Sequence, residues 1–127
     1  MKIDTVRVAA EAFERELPKE QNEERVWVMP LKRDGVMIKK PILVSVGFED
    51  GTTSLNVREI FTEALKAGAE AIIVAHNHPS GNLTTSKADQ EATEKLKAAA
   101  GLLEVQLADH LIIGKGDYFS FAENGLC

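Results

Sequence analysis

The chain has 127 residues, 44% hydrophobic and 28% charged, the make-up of one ordinary soluble globular domain and too little chain for two. Its 20 acidic and 15 basic residues give a formal charge of -5, and no Lys/Arg cluster stands out, which argues against an autonomous nucleic-acid binder. Cys127 is the sole cysteine and the last residue, which rules out an intrachain disulfide and a thiolate metal cluster and reads as an exposed, inert tail residue. That usage fits a reducing cytosol. The N-terminus has no apolar signal-type region and no run approaches transmembrane length, so a cytoplasmic protein without membrane association is expected.

Val6, Ala9, Ala10, Phe13 and Leu17 recur at helical spacing and predict a helix over 5–17, stopped by Pro18. Residues 19–24 form a polar connector. Residues 25–31 predict a strand, with Pro30 pointing to an edge or a bulge. Asp34-Gly35 is a hairpin-type turn signal, and the β-branched run over 42–46 supplies the returning strand after Pro41. Residues 47–56 are rich in turn formers. Val57, Ile60, Phe61, Ala64 and Leu65 then mark one face of an amphipathic helix, with Gly68 as its C-terminal stop. Trp27 and Phe61 read as core side chains.

Residues 71–75 (Ala-Ile-Ile-Val-Ala) are a continuous apolar run, the mark of a buried central strand, and they deliver the chain to His76. A strand end opening into a Gly/Pro loop is where α/β sheets commonly place their sites. A further helix is expected from Ser86 to about Ala100, ended by Gly101. Residues 103–113 and 117–121 read as the last two strands. The order α-β-β-α-β-α-β-β implies a single mixed α/β domain whose helices cover a sheet.

All three histidines lie between 76 and 110. His76 and His78 are two apart, so an extended backbone points both imidazoles to one side. Seven residues separate His78 from Ser86, and two separate Ser86 from Asp89. Two imidazoles and a carboxylate can hold a zinc ion while leaving a fourth position open, so His76, His78 and Asp89 are the candidate cage. Ser86 lies one helical turn before Asp89, where its hydroxyl could stabilise a developing oxyanion. Plainer readings stand beside these: the His pair as a polar strand exit, and Ser86 with Asp89 as a helix capping box. A cap and a catalytic role are compatible, because the cap sets where Asp89 points.

The pattern His76-x-His78, seven residues, Ser86, two residues, Asp89 resembles the JAMM motif of MPN-domain metalloproteases. The segments 75–82 (Ala-His-Asn-His-Pro-Ser-Gly-Asn), 58–61 (Arg-Glu-Ile-Phe) and 109–114 (Asp-His-Leu-Ile-Ile-Gly) are similar to the RadC branch of that superfamily, and the likeness spans roughly residues 24–122. RadC-like proteins usually carry a helix-hairpin-helix region ahead of this domain. The chain has no room for one, so the resemblance implies a freestanding JAMM domain over 1–127.

The resemblance implies an MPN/JAMM-like α/β fold of cytidine-deaminase-like architecture, a mixed sheet flanked by helices. It implies Zn2+ held by His76, His78 and Asp89, an oxyanion-stabilising Ser86, and a general-base glutamate on an early strand. Aligning the strand over 26–31 with the family's first strand puts that base at Glu24, with Glu23 one position off as the runner-up. The acidic patch around Glu24 also reads as solvated surface. The implied activity is zinc-dependent hydrolysis of amide or isopeptide bonds in a protein or peptide substrate. Two other functions stand against it: a non-catalytic scaffold, since MPN domains include such members, and a DNA-repair-associated role. Direct nucleic-acid binding is not expected, and homo-oligomers are left open.

Asp109 and His110 are a second polar pair, set in the apolar stretch 107–113. Neighbours on a strand face opposite ways, so at most one of them points at the metal. His110 reads as a core histidine paired with a backbone group, as a direct metal ligand, or as a partner that orients a ligand imidazole.

Overall fold

The computed structural model describes residues 1–48 and 55–127. Along the chain run α1 (Val6–Glu14), β1 (Glu23–Leu31), β2 (Ile42–Phe48), α2 (Val57–Lys66), β3 (Ala71–Asn77), α3 (Lys87–Leu103), β4 (Gln106–Gly114) and β5 (Asp117–Ser120). The element order is the expected one. The centre of the turn-rich stretch over 47–56 lies outside the described residues.

The strands form one mixed sheet in the order β2-β1-β3-β4-β5. β3 and β4 are parallel and joined through α3, whereas every other neighbouring pair is antiparallel. β3 is buried along its whole length, as a strand covered on both faces must be. Side-chain alternation then sorts the core into two layers. Trp27, Met29, Ile73, Ala75, Leu111 and Ile113 pack under Ala9, Ala10 and Phe13 of α1. Val26, Val28, Ile72 and Val74 face Ile60, Phe61 and Ala64 of α2 and Leu96 and Ala100 of α3. Trp27 and Phe61 are both core, on opposite faces of the sheet.

Several features differ from expectation, among them α1, which ends at Glu14 and not at 17. β1 begins at Glu23, because pairing with Phe48 and Gly47 of β2 draws the end of the polar connector into the sheet. Pro30 sits in this interior strand: its carbonyl accepts from the Ile38 N–H, so its missing donor faces the 32–41 connector, past the last β2 pairing at Ile42. Gly101 lies inside α3 instead of ending it. The stop is Glu104, in the left-handed region at φ 57. The Val105 N–H returns to the Ala100 carbonyl at 3.0 Å and the Glu104 N–H to Gly101 at 3.4 Å, closing a Schellman motif. β4 therefore starts at Gln106, three residues later than expected. Cys127 is half-buried, and burial pushes its thiol up, which keeps it a poor nucleophile. Among the described residues, no helix is long and apolar enough to cross a membrane.

Candidate metal centre

The same alternation that buries the second core layer also lines up the polar groups. On β1, Glu24 shares the face of Val26 and Val28. On β3, His76 continues the row of Ile72 and Val74, and β4 turns His110 to that side and Asp109 to the other. Val26 pairs directly with His76 across the β1–β3 ladder, so Glu24 projects just past the end of β3. There the chain leaves the sheet, and the His78 N–H binds the Ile113 carbonyl at 2.9 Å. Gly81 takes φ +85, a turn that returns the chain toward α3.

α3 opens on a capping box. The Asp89 N–H donates to Ser86 Oγ at 3.0 Å, and the Ser86 N–H donates to Asp89 Oδ2 at 2.9 Å. The cap directs the Asp89 carboxylate inward, where it is 6% exposed. Its Oδ1 lies 3.2 Å from His76 Nε2, and its Oδ2 3.7 Å from His78 Nε2. His76, His78 and Asp89 each present a ligand atom, and all three atoms lie within 4.8 Å of one another. The expected capping box and the expected His-His-Asp group therefore coexist in one turn of chain.

The donor chemistry fits a divalent cation. His78 Nδ1 is 2.6 Å from the Asn82 carbonyl, which can only accept, so the proton sits on Nδ1 and the Nε2 lone pair faces the cluster. His76 Nε2 is buried with no hydrogen-bond partner among the described residues, although Asp89 Oδ1 is near. Two acceptors facing each other without a proton repel, and a cation between them removes the conflict. Tetrahedral zinc with bonds of about 2.0–2.2 Å spaces its ligand atoms about 3.3–3.6 Å apart, near the 3.2 Å and 3.7 Å from the Asp89 oxygens to His76 and His78.

Burial pushes the His76 imidazole below its ordinary value of 6.5, outweighing the Asp89 carboxylate, which favours the protonated ring. Burial alone would raise the Asp89 carboxyl. A proton on His76, through its hydrogen bond and charge, and the bonds from Ser86 outweigh it and hold the group well below the usual carboxylate range. The Ser86 N–H favours the ionised carboxylate whatever the charge on His76. A neutral imidazole beside an ionised carboxylate is the state a metal requires.

Glu24 is 6% exposed, not solvated, and its Oε1 is 3.9 Å from His78 Nε2. Glu23, the runner-up, precedes it on the strand and so faces the other side. Ser86 is exposed at the rim of the cluster. Its oxygen accepts the Asp89 amide, which leaves its own O–H proton to donate. His110 is fully buried and meets His76 Nδ1 and Thr93 Oγ1, a side-chain pairing and not the backbone one. Asp109 faces α1, where it accepts from the Ser120 hydroxyl and the Ala122 and His110 amides.

Two residues given no role of their own in the sequence reading belong to this neighbourhood. Asn77 is fully buried. Its Oδ1 accepts the Arg25 N–H, and its Nδ2 donates to the Glu23 carbonyl at 3.2 Å. Thr93 is buried on α3 and its hydroxyl reaches the Asp89 carbonyl at 3.0 Å. A signal for Thr93 existed: Asp89, Thr93, Leu96 and Ala100 recur at helical spacing, which puts a carboxylate and a hydroxyl on the helix's buried stripe.

A model of the RadC-like JAB domain matches residues 3–126. The chain is 47% identical over 121 residues to a UPF0758 protein of Haemophilus ducreyi, an overlap of 95% of this chain and 53% of that protein. It is 40% identical over 125 residues to a UPF0758 protein of Pelodictyon phaeoclathratiforme, covering 98% of this chain and 55% of the relative. Against the UPF0758 protein YeeS of Escherichia coli it is 50% identical over 74 residues, 58% of this chain and 50% of YeeS. The chain thus spans about half the length of the curated relatives it matches. The matched span runs from ahead of α1 to beyond β5 and takes in every strand and helix that contributes to the centre, and on that ground the chain belongs to the RadC-like JAB domain family.

Proposed function

We propose that this chain is a zinc-dependent metallohydrolase that cleaves amide bonds in a peptide or protein, including isopeptide bonds. The observation that carries the reading is the convergence of His76, His78 and Asp89 on one point with the buried Glu24 carboxylate at its edge. When bound, zinc would supply Lewis acidity that brings the pKa of water to about 7 and polarises a carbonyl. His76 and His78 would hold it through Nε2, and Asp89 through its carboxylate. Glu24 would accept a proton from the attacking water on a carboxylate oxygen and return it to the leaving nitrogen. A positioned acid–base group of this kind contributes about 10²–10⁴-fold. Ser86 would donate its free O–H to the oxygen that gains charge.

The test separates holding the metal from using it. Wild-type protein should contain about one zinc per chain by elemental analysis, His78→Ala close to none, and Glu24→Gln as much as wild type. In a screen of fluorogenic peptide and isopeptide substrates, Glu24→Gln should lower kcat by about 10²–10⁴-fold on any substrate the wild type cleaves. Full activity in Glu24→Gln would move the base elsewhere. A zinc-loaded wild type that cleaves nothing in the screen would favour a binding role for the domain.

A further inference from the structure

His110, Thr93 and the backbone of Asp89 link two of the candidate ligands by a route that does not pass through the metal position. His110 is fully buried on β4, its ring stacked on Phe121 at 4.4 Å and 7°. Its Nε2 is 3.0 Å from His76 Nδ1, and its Nδ1 is 2.7 Å from Thr93 Oγ1. Thr93 Oγ1 in turn is 3.0 Å from the Asp89 carbonyl.

The bond directions follow one from another. A carbonyl has no proton, so Thr93 donates its single hydroxyl proton to Asp89. Thr93 Oγ1 can then only accept from His110, which puts the His110 proton on Nδ1. A neutral His110 keeps a lone pair on Nε2, and that lone pair takes the Nδ1–H of His76. His76 is left with its Nε2 lone pair aimed at the metal position. Reversing the chain would protonate His76 Nε2, toward Asp89 Oδ1 at 3.2 Å and at the position a cation would take, and would set the Thr93 oxygen against the Asp89 carbonyl with no hydrogen between them.

We propose that Thr93 and His110 are positioning residues that set the tautomer of His76 for metal binding and couple it to the helix turn that carries Asp89. This rests on the reading that His76, His78 and Asp89 hold a metal. The two histidines are set by different means: His78 by a carbonyl four residues away, His76 by a relay across β3, β4 and α3. A substitution at Thr93 therefore acts on His76 and leaves His78 as it was.

Thr93→Val keeps the side-chain shape and removes the oxygen that accepts from His110. With a methyl group facing Nδ1, the His110 proton moves to Nε2, and the His76 proton moves to its own Nε2. Thr93→Ser keeps the oxygen. Long-range ¹H–¹⁵N correlation of the imidazoles in metal-free protein should show the Nδ1–H tautomer at His76 and His110 in wild type and Thr93→Ser, and its loss at both in Thr93→Val. The His78 signals should stay unchanged. In competition titrations with a chromophoric chelator, Zn2+ affinity should fall about 10–100-fold in Thr93→Val and be largely retained in Thr93→Ser. An Nε2–H tautomer at His110 in metal-free wild type would overturn the relay, and needs no variant to fold. So would a folded Thr93→Val that binds Zn2+ as tightly as wild type. Failure of the wild type to bind Zn2+ would instead overturn the metal reading, and the positioning role with it, even with the tautomers as assigned.

Discussion

The side-chain oxygen of Asn77 accepts the backbone N–H of Arg25 at 2.6 Å, and its amide nitrogen donates to the Glu23 carbonyl at 3.2 Å. Asn77 thus clamps the peptide groups on both sides of Glu24, extending the β1–β3 ladder beyond its last pair, Val26 with His76. Asn77→Ala would leave a partly buried N–H and C=O without these partners, at a cost of about 2–3 kcal/mol. Because Asn77 touches none of the three candidate ligands' metal-facing atoms, zinc affinity should change little. Turnover on any substrate found should fall about 10–100-fold as Glu24 loses its fixed position. Urea denaturation with a zinc titration checks the first two, and loss of zinc in a folded Asn77→Ala would contradict the division of labour.

Asp89 combines a cap and a candidate ligand, and Asn can keep the first while weakening the second. In Asp89→Asn the amide oxygen can still accept the Ser86 N–H, so the metal-free protein should lose no more than about 1 kcal/mol. Zinc affinity should drop by more than about 100-fold, because a charged ligand has become neutral. Melting curves with and without zinc give both numbers: the zinc-induced rise in Tm should be large in wild type and close to absent in the variant.

Glu104 is the only non-glycine residue with positive φ among those described. A side chain there costs about 1 kcal/mol that glycine avoids. Glu104→Gly should therefore stabilise the protein by up to about 1 kcal/mol in urea denaturation, without touching zinc affinity. A destabilised variant would mean that the Glu104 side chain supports the α3–β4 junction in some other way.

Acid should weaken the metal-free fold earlier than carboxylate titration alone predicts. Burial holds His76 below and His110 well below the ordinary value of 6.5, so between their folded values and 6.5 the unfolded chain binds protons that the folded one does not. Their share of stability is complete above 6.5 and declines as pH falls below it, by about 1 kcal/mol per pH unit for each histidine that stays neutral. Asp89, whose folded value is depressed from 3.8, acts with the same sign but only in stronger acid. Urea midpoints measured in chelator from pH 8 to pH 5 should be level at first and then fall. A midpoint that stayed constant to pH 5 would show that both rings protonate without unfolding.

The candidate ligand group is legible in the sequence because it is local. His76, His78 and Asp89 lie within one strand exit and one helix start, and period-two alternation plus a capping pattern suffices to bring them together. The element order follows from hydrophobic periodicity for the same reason. Long-range pairing is what composition hides. Glu24 sits in a run of polar residues that looks like a connector, and only the ladders with β2 and β3 turn it into a buried strand position. Thr93 and Asn77 act through partners 17 and 52 residues away, beyond the reach of any spacing rule. The α3 terminus misleads for a different reason. A glycine was available at Gly101, but the Schellman closure fell on Glu104, where Val105 and Ala100 could both enter the core.

The antiparallel pairing of β1 with β3 carries one more consequence. It makes strand register a chemical variable. A one-residue slip of β1 would turn Glu24 to the α1 face, and a two-residue slip would keep its face but carry it about 7 Å along the sheet, out of reach of His78. Insertions at the exposed Lys19-Glu20 bend ahead of β1 should therefore be tolerated, whereas a single-residue insertion between Glu24 and Val26 should silence the centre without emptying it.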